Sequence, residues 1–255
     1  VKFEGGKLPS SIGGLIHLRF LRLFEAGVSH LPSSLRNLKL LLYLDLDVAC
    51  KEPVHVPNVL KEMLELRYLF LPPLMHDKTK LELGDLVNME QVWSFSTQHS
   101  NVTDLLRMTK LRSLDVSLSE RCTFKTLSSS LRELSNLETL DFSISSKTIM
   151  VDYVGEFDLD FIHLKELGLA VRMSKIPHQH QFPPHLEHIY LLYCRMEEDP
   201  MPILEKLLHL KSVELRPEAF IGRKMLCSKG GFPQLYALNI YKESELEEWI
   251  VEEGS

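Results

Sequence analysis

The feature that most constrains this chain is a leucine pattern that recurs along its whole length. The template LxxLxxLxL, in which x is any residue, fits ten times, and successive copies begin 22 to 27 residues apart. The copies begin at Leu15, Leu38, Met63, Leu86, Met108, Leu134, Phe161, Pro183, Leu207 and Phe232. Ser94 and Pro183 are the only template positions that are not Leu, Ile, Val, Met or Phe. Such a repeat predicts small units stacked in a row, because one copy cannot bury its apolar face alone.

The spacing inside each copy predicts where its strand lies. The last two template positions are two residues apart, so both side chains point to the same side of an extended strand. The two earlier positions, at intervals of three, wrap around a bend into the same interior. Stacked copies predict an α/β solenoid shaped like a horseshoe, with parallel strands on the concave face and irregular or short helical segments on the convex face. We expect residues 1–255 to be a single domain of about ten repeats and a fragment of a larger protein.

Prolines and long spacings predict the outer segments. The pairs Leu8-Pro9, Leu31-Pro32 and Val56-Pro57 each place a proline where the chain must turn before a short outer segment. The two longest repeats, which begin at Met108 and Leu134, are expected to carry their extra residues on the convex side or at an edge.

Composition narrows the class of protein. Of the 255 residues 44% are hydrophobic, and the net charge of −6 argues against nucleic acid as the principal partner. No run of eighteen apolar residues occurs, so no membrane-spanning helix is expected. Cys50, Cys122, Cys194 and Cys227 are too far apart for a disulfide frame or a zinc knuckle. We interpret them as reduced thiols, which favours a cytosolic or nuclear compartment.

A more specific family resemblance lies in five stretches of the chain. They are LPSSIGGLIHLRFLRL, LPSSLRNLKLLLYLDL, PMPILEKLLHLKSVEL, GFPQLYALNI and LEEWIVEEGS. The chain resembles the leucine-rich-repeat domain of plant coiled-coil nucleotide-binding leucine-rich-repeat (NLR) receptors, in particular the crucifer group that confers resistance to downy mildew and some viruses. The resemblance implies a cytoplasmic receptor with an amino-terminal signalling domain and a central ATP/ADP switch, both outside this chain.

One family feature is largely missing. Many leucine-rich repeats place Asn or Cys three residues after the last template position, where the side chain ties adjacent turns together. Here only Cys194 fits that rule. We therefore expect less regular backbone hydrogen bonding along that edge.

No sequence motif predicts catalysis, a bound cofactor or a metal site within this chain. A GxxxxGK[ST] phosphate loop is absent, and the run 228–231 (SKGG) is interpreted as a turn before a strand. His178, His180, His185 and His188 are close in sequence, but zinc needs converging ligands with fixed orientation, so we interpret them as a polar loop. ATP or ADP is expected only in the nucleotide-binding domain that the resemblance implies.

The residues between the template leucines of each strand point to the predicted concave face, where they are free to bind partners. The first four strands contribute Phe20, Arg22, Phe24, Tyr43, Asp45, Asp47, Tyr68, Phe70, Pro72, Gln91, Trp93 and Phe95. Seven of these twelve are aromatic, which is more apolar surface than a monomer usually leaves in water. We predict a protein-binding surface here. The alternative is that the rings simply stack on each other across strands.

The other six strands contribute mostly polar residues to this face. The candidate binding residues there are Asp115, Asp141, Glu166, His188, Tyr190, Glu214, Arg216 and Tyr241. Over the whole face six acids stand against Arg22 and Arg216, which would favour a basic partner and accelerate its association. The alternative is that these acids are ordinary solvated side chains.

These observations favour a non-catalytic recognition and autoregulatory module of an intracellular plant immune receptor. Its expected partners are the receptor's own nucleotide-binding domain and a pathogen effector or its host target. A substrate-recruiting adaptor of a ubiquitin ligase, which uses similar solenoids, is an alternative. A purely structural spacer is a third hypothesis, which substitution of Trp93 and Phe70 by polar residues would test.

Overall fold

The computed structural model describes residues 6–23, 26–48, 52–119, 122, 124–144, 161–243 and 245–254. The chain forms two compact units, Val1–Asn136 (unit 1) and Leu137–Ser255 (unit 2), and each is described by itself. In the part of the chain that is described, no helix has the length and apolar character needed to cross a membrane.

Unit 1 is built on five parallel strands that pair in sequence order. They are β1 (Phe20–Arg22), β2 (Tyr43–Asp45), β3 (Tyr68–Phe70), β4 (Gln91–Ser96) and β5 (Ser113–Leu118). The third template residue of every copy occupies the same register, as in the pairing of Leu21 with Leu44 and of Leu69 with Val92. The prediction of one parallel strand per repeat is confirmed.

Unit 2 repeats the arrangement. Its main sheet contains β6 (Thr139–Ile144), β7 (Glu166–Ala170), β8 (His188–Leu191), β9 (Ser212–Leu215) and, beyond β10 in sequence, β11 (Ala237–Ile240). Each of these strands is parallel to its neighbour. A separate parallel pair joins β10 (Lys224–Cys227) to β12 (Glu248–Val251).

The core of each unit is the stack of template side chains. In unit 1 Leu44, Leu69 and Leu114 are fully buried, and in unit 2 Leu167 and Val213 are too. A fully buried side chain of this size contributes about 1.5–3 kcal/mol relative to an exposed one. The side of each sheet opposite these residues, which we call the open face, carries the candidate binding residues.

The outer segments are short, as the prolines predicted. Pro9 and Pro32, both in extended conformation, immediately precede the 3-10 turns Ser10–Gly14 and Ser33–Asn37. Further 3-10 turns and short helices lie at Leu60–Glu62, Val102–Arg107, α1 (Phe124–Leu131), Gln179–Gln181 and α2 (Met201–Leu204). Helix α1 takes up the extra residues of the 26-residue repeat, whereas most of the next long insertion lies outside the described residues.

Strand β4 shows where the template was misaligned. The sequence placed Ser94 in the core and Phe95 on the open face, but Phe95 is 0% exposed and pairs with Val116, a core residue of β5. The register shifts between Val92 and Phe95, and Ser94 has a left-handed backbone with φ of 58°. This one-residue bulge brings the larger apolar side chain into the core. Phe95 is therefore removed from the candidate surface.

Side chains tie adjacent repeats together more often than the asparagine rule predicted. Cys194 donates from Sγ to the carbonyl of Leu169 at 3.3 Å, and burial raises the pKa of its thiol to about 12, which keeps it protonated. At the equivalent place in the tenth repeat, Glu243 accepts from the backbone N–H groups of Ala219 and Phe220, each at 3.2 Å. A carboxylate thus performs the role of the missing asparagine.

Candidate protein-binding face

The aromatic residues of unit 1 form a continuous column across four strands. We define the aromatic column as Phe20, Tyr43, Tyr68, Phe70 and Trp93. Phe20 stacks on Tyr43 with ring centroids 4.2 Å apart, Tyr43 lies 5.5 Å from Phe70, and Phe70 stacks on Trp93 at 6.0 Å. Tyr43 also contacts Tyr68 at 6.0 Å. The rings meet because strands lie about 4.8 Å apart and place equivalent side chains side by side.

Stacking does not remove the column from water. Phe20 is 56% exposed and Trp93 is 37% exposed, while Tyr43, Tyr68 and Phe70 are half-buried. The two sequence hypotheses therefore describe the same residues, since the rings stack and still present apolar surface. Phe24 lies outside the described residues.

Hydrogen bonds to carboxylates orient the two tyrosines. The Tyr68 hydroxyl donates to Glu90 Oε2 at 2.9 Å, and this bond raises the pKa of Tyr68. The Tyr43 hydroxyl donates to Asp45 Oδ2 at 3.4 Å, and burial, followed by the charge of Asp45, raises the pKa of Tyr43. Both phenols therefore stay neutral in physiological conditions and can act as hydrogen-bond donors or acceptors at this surface.

Asp45 does not belong to the exposed surface that the sequence predicted. It is 3% exposed, and its Oδ2 forms an ion pair with Arg22 Nε at 2.9 Å. Its Oδ1 accepts the backbone N–H of Asp47 at 3.0 Å. Asp45 acts as an internal support of the column, whereas the side chain of Asp47 is exposed.

Unit 2 holds a different group of candidate residues. The Arg216 guanidinium lies over the Tyr190 ring, 4.4 Å from its centroid, and its Nε pairs with Glu214 Oε2 at 2.9 Å. Gly168 makes room for this ring, because a Cβ there would lie 2.0 Å from Tyr190 Cζ and 2.4 Å from Asp141 Oδ1. The polar cluster is thus held together by its own members.

The remaining candidates of unit 2 are spread along its open face. Glu166 and Tyr241 are exposed, and His188 is half-buried with its Nε2 4.0 Å from Glu187 Oε2. Asp141 is buried, so it does not belong to the exposed binding surface where the sequence placed it.

Comparison with known proteins identifies the repeat. The family model described as a leucine-rich repeat region matches residues 4–254. The chain belongs to the leucine-rich-repeat family. A solved leucine-rich-repeat protein of Leptospira interrogans superposes with a TM-score of 0.58 over 97% of this chain and 64% of that one. The identity is 15%, so this likeness shows the fold alone.

The curated relatives are plant resistance proteins. This leucine-rich-repeat chain is 78% identical to Disease resistance RPP8-like protein 3, 77% identical to Disease resistance protein RPP8 and 75% identical to Disease resistance protein RPH8A, all of Arabidopsis thaliana. Each alignment covers 100% of this chain and 28% of the relative. The resemblance to crucifer NLR receptors is confirmed, and the chain spans less than a third of the length of these relatives.

The predicted acidic surface on the open face of the repeats is smaller than the sequence indicated, because Asp45 and Asp141 are buried. Asp45 is paired with Arg22, and Glu214 is paired with Arg216. Asp115 is half-buried, accepts the backbone N–H of Ser94 at 3.0 Å, and has a pKa raised by burial. Asp47 and Glu166 remain as exposed acids of the set.

The loops that resembled other sites have structural roles in this leucine-rich-repeat chain. The backbone N–H of Ser228 donates to Glu205 Oε2 and that of Lys229 donates to Glu252 Oε2, both at 2.8 Å. Carboxylates of this chain therefore already accept from the two N–H groups that a phosphate would need. His178 stacks on His180, while His185 contacts His209 of the next repeat. Within the described ranges, no three His, Cys, Asp or Glu side chains converge to hold a metal ion.

Sequence reasoning missed two features of unit 1. Glu90, which holds Tyr68, lies just before β4, outside the strand positions that were considered. A pocket of about 400 Å³ is lined by His99, Ser100 and Cys122, among others. Its lining residues come from loops of different repeats. The sequence carried no signal for either, because both depend on which residues adjacent repeats bring together.

Proposed function

We propose that this chain is the recognition and autoregulatory module of an intracellular plant immune receptor. In this proposal the aromatic column of unit 1 binds the receptor's nucleotide-binding domain and holds it inactive. The rest of the open face senses a pathogen effector, directly or through a host protein. ATP or ADP would be bound by the nucleotide-binding domain, outside this chain.

The observation that carries the proposal is the exposed aromatic column. Five rings on one sheet bury each other only in part, and Phe20 and Trp93 keep much of their surface in water. Exposed aromatic clusters are typical anchors of protein interfaces. The chain is 75–78% identical to plant disease resistance proteins, which supports a role in immunity for the interaction made by the aromatic column.

Binding of an effector can activate such a receptor by a shift of populations. If the column contacts the switch domain in the inactive state, loss of that contact favours the active state by the free energy that the contact supplied. The same surface can therefore restrain the receptor without any catalytic chemistry in the repeats.

Substitution of two column residues in the full-length receptor tests this proposal. Phe70→Ser and Trp93→Ser, separately and together, should cause cell death without infection, because each removes apolar surface that anchors the restraint. Ion leakage from leaves that transiently express the receptor measures the effect, at receptor levels matched by immunoblot. Tyr236→Ser is the control, since Tyr236 is an aromatic residue outside the column and is 74% exposed. Unchanged restraint and unchanged recognition in the double variant would instead indicate a structural spacer.

A further inference from the structure

The cation–π cluster of unit 2 defines a local arrangement of three groups. Tyr190 of β8 pairs in register with Glu214 of β9, and Arg216 follows Glu214 by two residues on the same face. The guanidinium lies 4.4 Å from the Tyr190 ring centroid while it pairs with the Glu214 carboxylate. One arginine thus satisfies an aromatic face and a carboxylate at once.

Unit 1 contains a related pair of groups without a cation, an aromatic residue and a carboxylate on neighbouring strands, although the β4 bulge interrupts the register between them. Trp93 of β4 lies at the bulge, and Asp115 is the β5 residue between Leu114, which pairs with Val92, and Val116, which pairs with Phe95. The residue two positions after Asp115, where unit 2 has its arginine, is Ser117. An aromatic ring and a neighbouring carboxylate are therefore present, but no arginine from this strand can join them.

The ring has a face available for a cation. Phe70 of β3 stacks against one side of the Trp93 indole, with ring planes 13° apart, and β5, which carries Asp115, lies on the other side of β4. Trp93 is 37% exposed, and its only ring contact within the described residues is with Phe70. Indole is the aromatic side chain that attracts cations most strongly.

The carboxylate lacks a compensating charge. One oxygen of Asp115 accepts the Ser94 N–H, and no cation forms an ion pair with Asp115 in the part of the chain that the structure describes. Burial raises the pKa of this carboxyl group, and the hydrogen bond from the Ser94 N–H offsets that rise only in part. A cation placed beside Asp115 would relieve that cost.

We propose that the partner of the aromatic column inserts an arginine side chain between Trp93 and Asp115, in the place that Arg216 takes beside Tyr190 and Glu214. The planar guanidinium can stack on the indole and donate two hydrogen bonds to the carboxylate, which a lysine ammonium does less well. This inference rests on the proposed function, and it commits to an arginine on the nucleotide-binding domain of the same receptor. A restraint that exists before infection needs a partner that is always present.

Two variants of the full-length receptor test the inference through restraint. Ser117→Arg supplies the cation from within the repeat and should displace the partner's arginine, and Asp115→Asn removes the charge but keeps an oxygen for the Ser94 N–H. Both should raise ion leakage without infection to the level of Trp93→Ser. Ser117→Gln, which is long but neutral, is the control and should stay near wild type.

A photo-crosslinker placed at position 117 of the full-length receptor identifies the occupant. Mass spectrometry of the product should find an arginine-bearing peptide of the nucleotide-binding domain, and replacement of that arginine by glutamine should abolish the restraint. A crosslink to another polypeptide, or to a peptide without arginine, overturns the inference.

The outcomes also separate the two proposals. If Trp93→Ser and Phe70→Ser cause signalling but Asp115→Asn and Ser117→Arg do not, the column restrains the receptor without an inserted arginine, and this inference is wrong. If none of the four causes signalling, the proposed function itself is wrong.

Discussion

At the scale of single residues, Gly168 decides the shape of the unit 2 face. Its missing side chain leaves the space that the Tyr190 ring fills, beside Asp141. With the ring in that position, the Arg216 guanidinium lies over it and also reaches Glu214. Because residue 168 carries a hydrogen in place of a side chain, Tyr190, Asp141, Arg216 and Glu214 can take up this arrangement.

Gly168→Ala should destabilise the chain by about 1–3 kcal/mol, because the added methyl group overlaps a ring in a filled space. Chemical denaturation of the 255-residue chain measures the loss. Gly14→Ala is the matched control, since nothing lies within 4 Å of a Cβ built there. In a Tyr190→Ala background the Gly168→Ala change should cost much less, because the ring is gone, and an undiminished cost would show that the ring is not the cause.

At the scale of elements, the bulge of β4 joins the core to the open face. Its extra residue turns Phe95 inward, leaves Trp93 outward, and points the Ser94 N–H at Asp115. The left-handed backbone of Ser94, with φ of 58°, makes this possible at a cost that glycine would avoid.

Substitutions at Ser94 should therefore follow backbone preference rather than size alone. Ser94→Val is expected to destabilise unit 1 by about 1–2 kcal/mol, because a β-branched residue resists the left-handed region. Ser94→Gly should be neutral or slightly stabilising, since glycine adopts positive φ readily. Urea midpoints of the two variants check this pair, and equal stability of Val and Gly at this position would argue against the bulge.

At the scale of the whole molecule, stability is distributed over neighbouring repeats. Among the described residues, strands pair with strands of neighbouring repeats, and side chains such as Cys194 and Glu243 bond the backbone of the repeat before them. A solenoid of this kind is stabilised by nearest-neighbour contacts rather than by one central core.

Leu69→Ala should consequently have a local effect. The fully buried Leu69 leaves a cavity, with an expected cost of about 2–5 kcal/mol. Hydrogen exchange followed by mass spectrometry should show lost protection in β2, β3 and β4, with β7, β8 and β9 unchanged. Leu167→Ala, at the equivalent fully buried position of unit 2, should give the converse pattern. Uniform loss of protection in both variants would contradict the nearest-neighbour description.

The sequence by itself determined the repeat and one parallel strand for each copy of the template, with the register correct except at the β4 bulge. Leucines at intervals of three and two are a local property, and a strand that slipped by one residue would turn its apolar side chains into water. The aromatic column of Phe20, Tyr43, Tyr68, Phe70 and Trp93 was therefore predictable from spacing alone.

Only the tertiary structure decided what each polar group on that face does. Asp45 is buried against Arg22, Asp115 faces a bulge, and Phe95 lies in the core where the template placed Ser94. Each outcome depends on a residue of the adjacent repeat, more than twenty positions away in sequence but about 4.8 Å away between strands. Periodicity specifies which side of a strand a residue occupies, whereas charge pairing and bulges follow from what the neighbouring strand presents there.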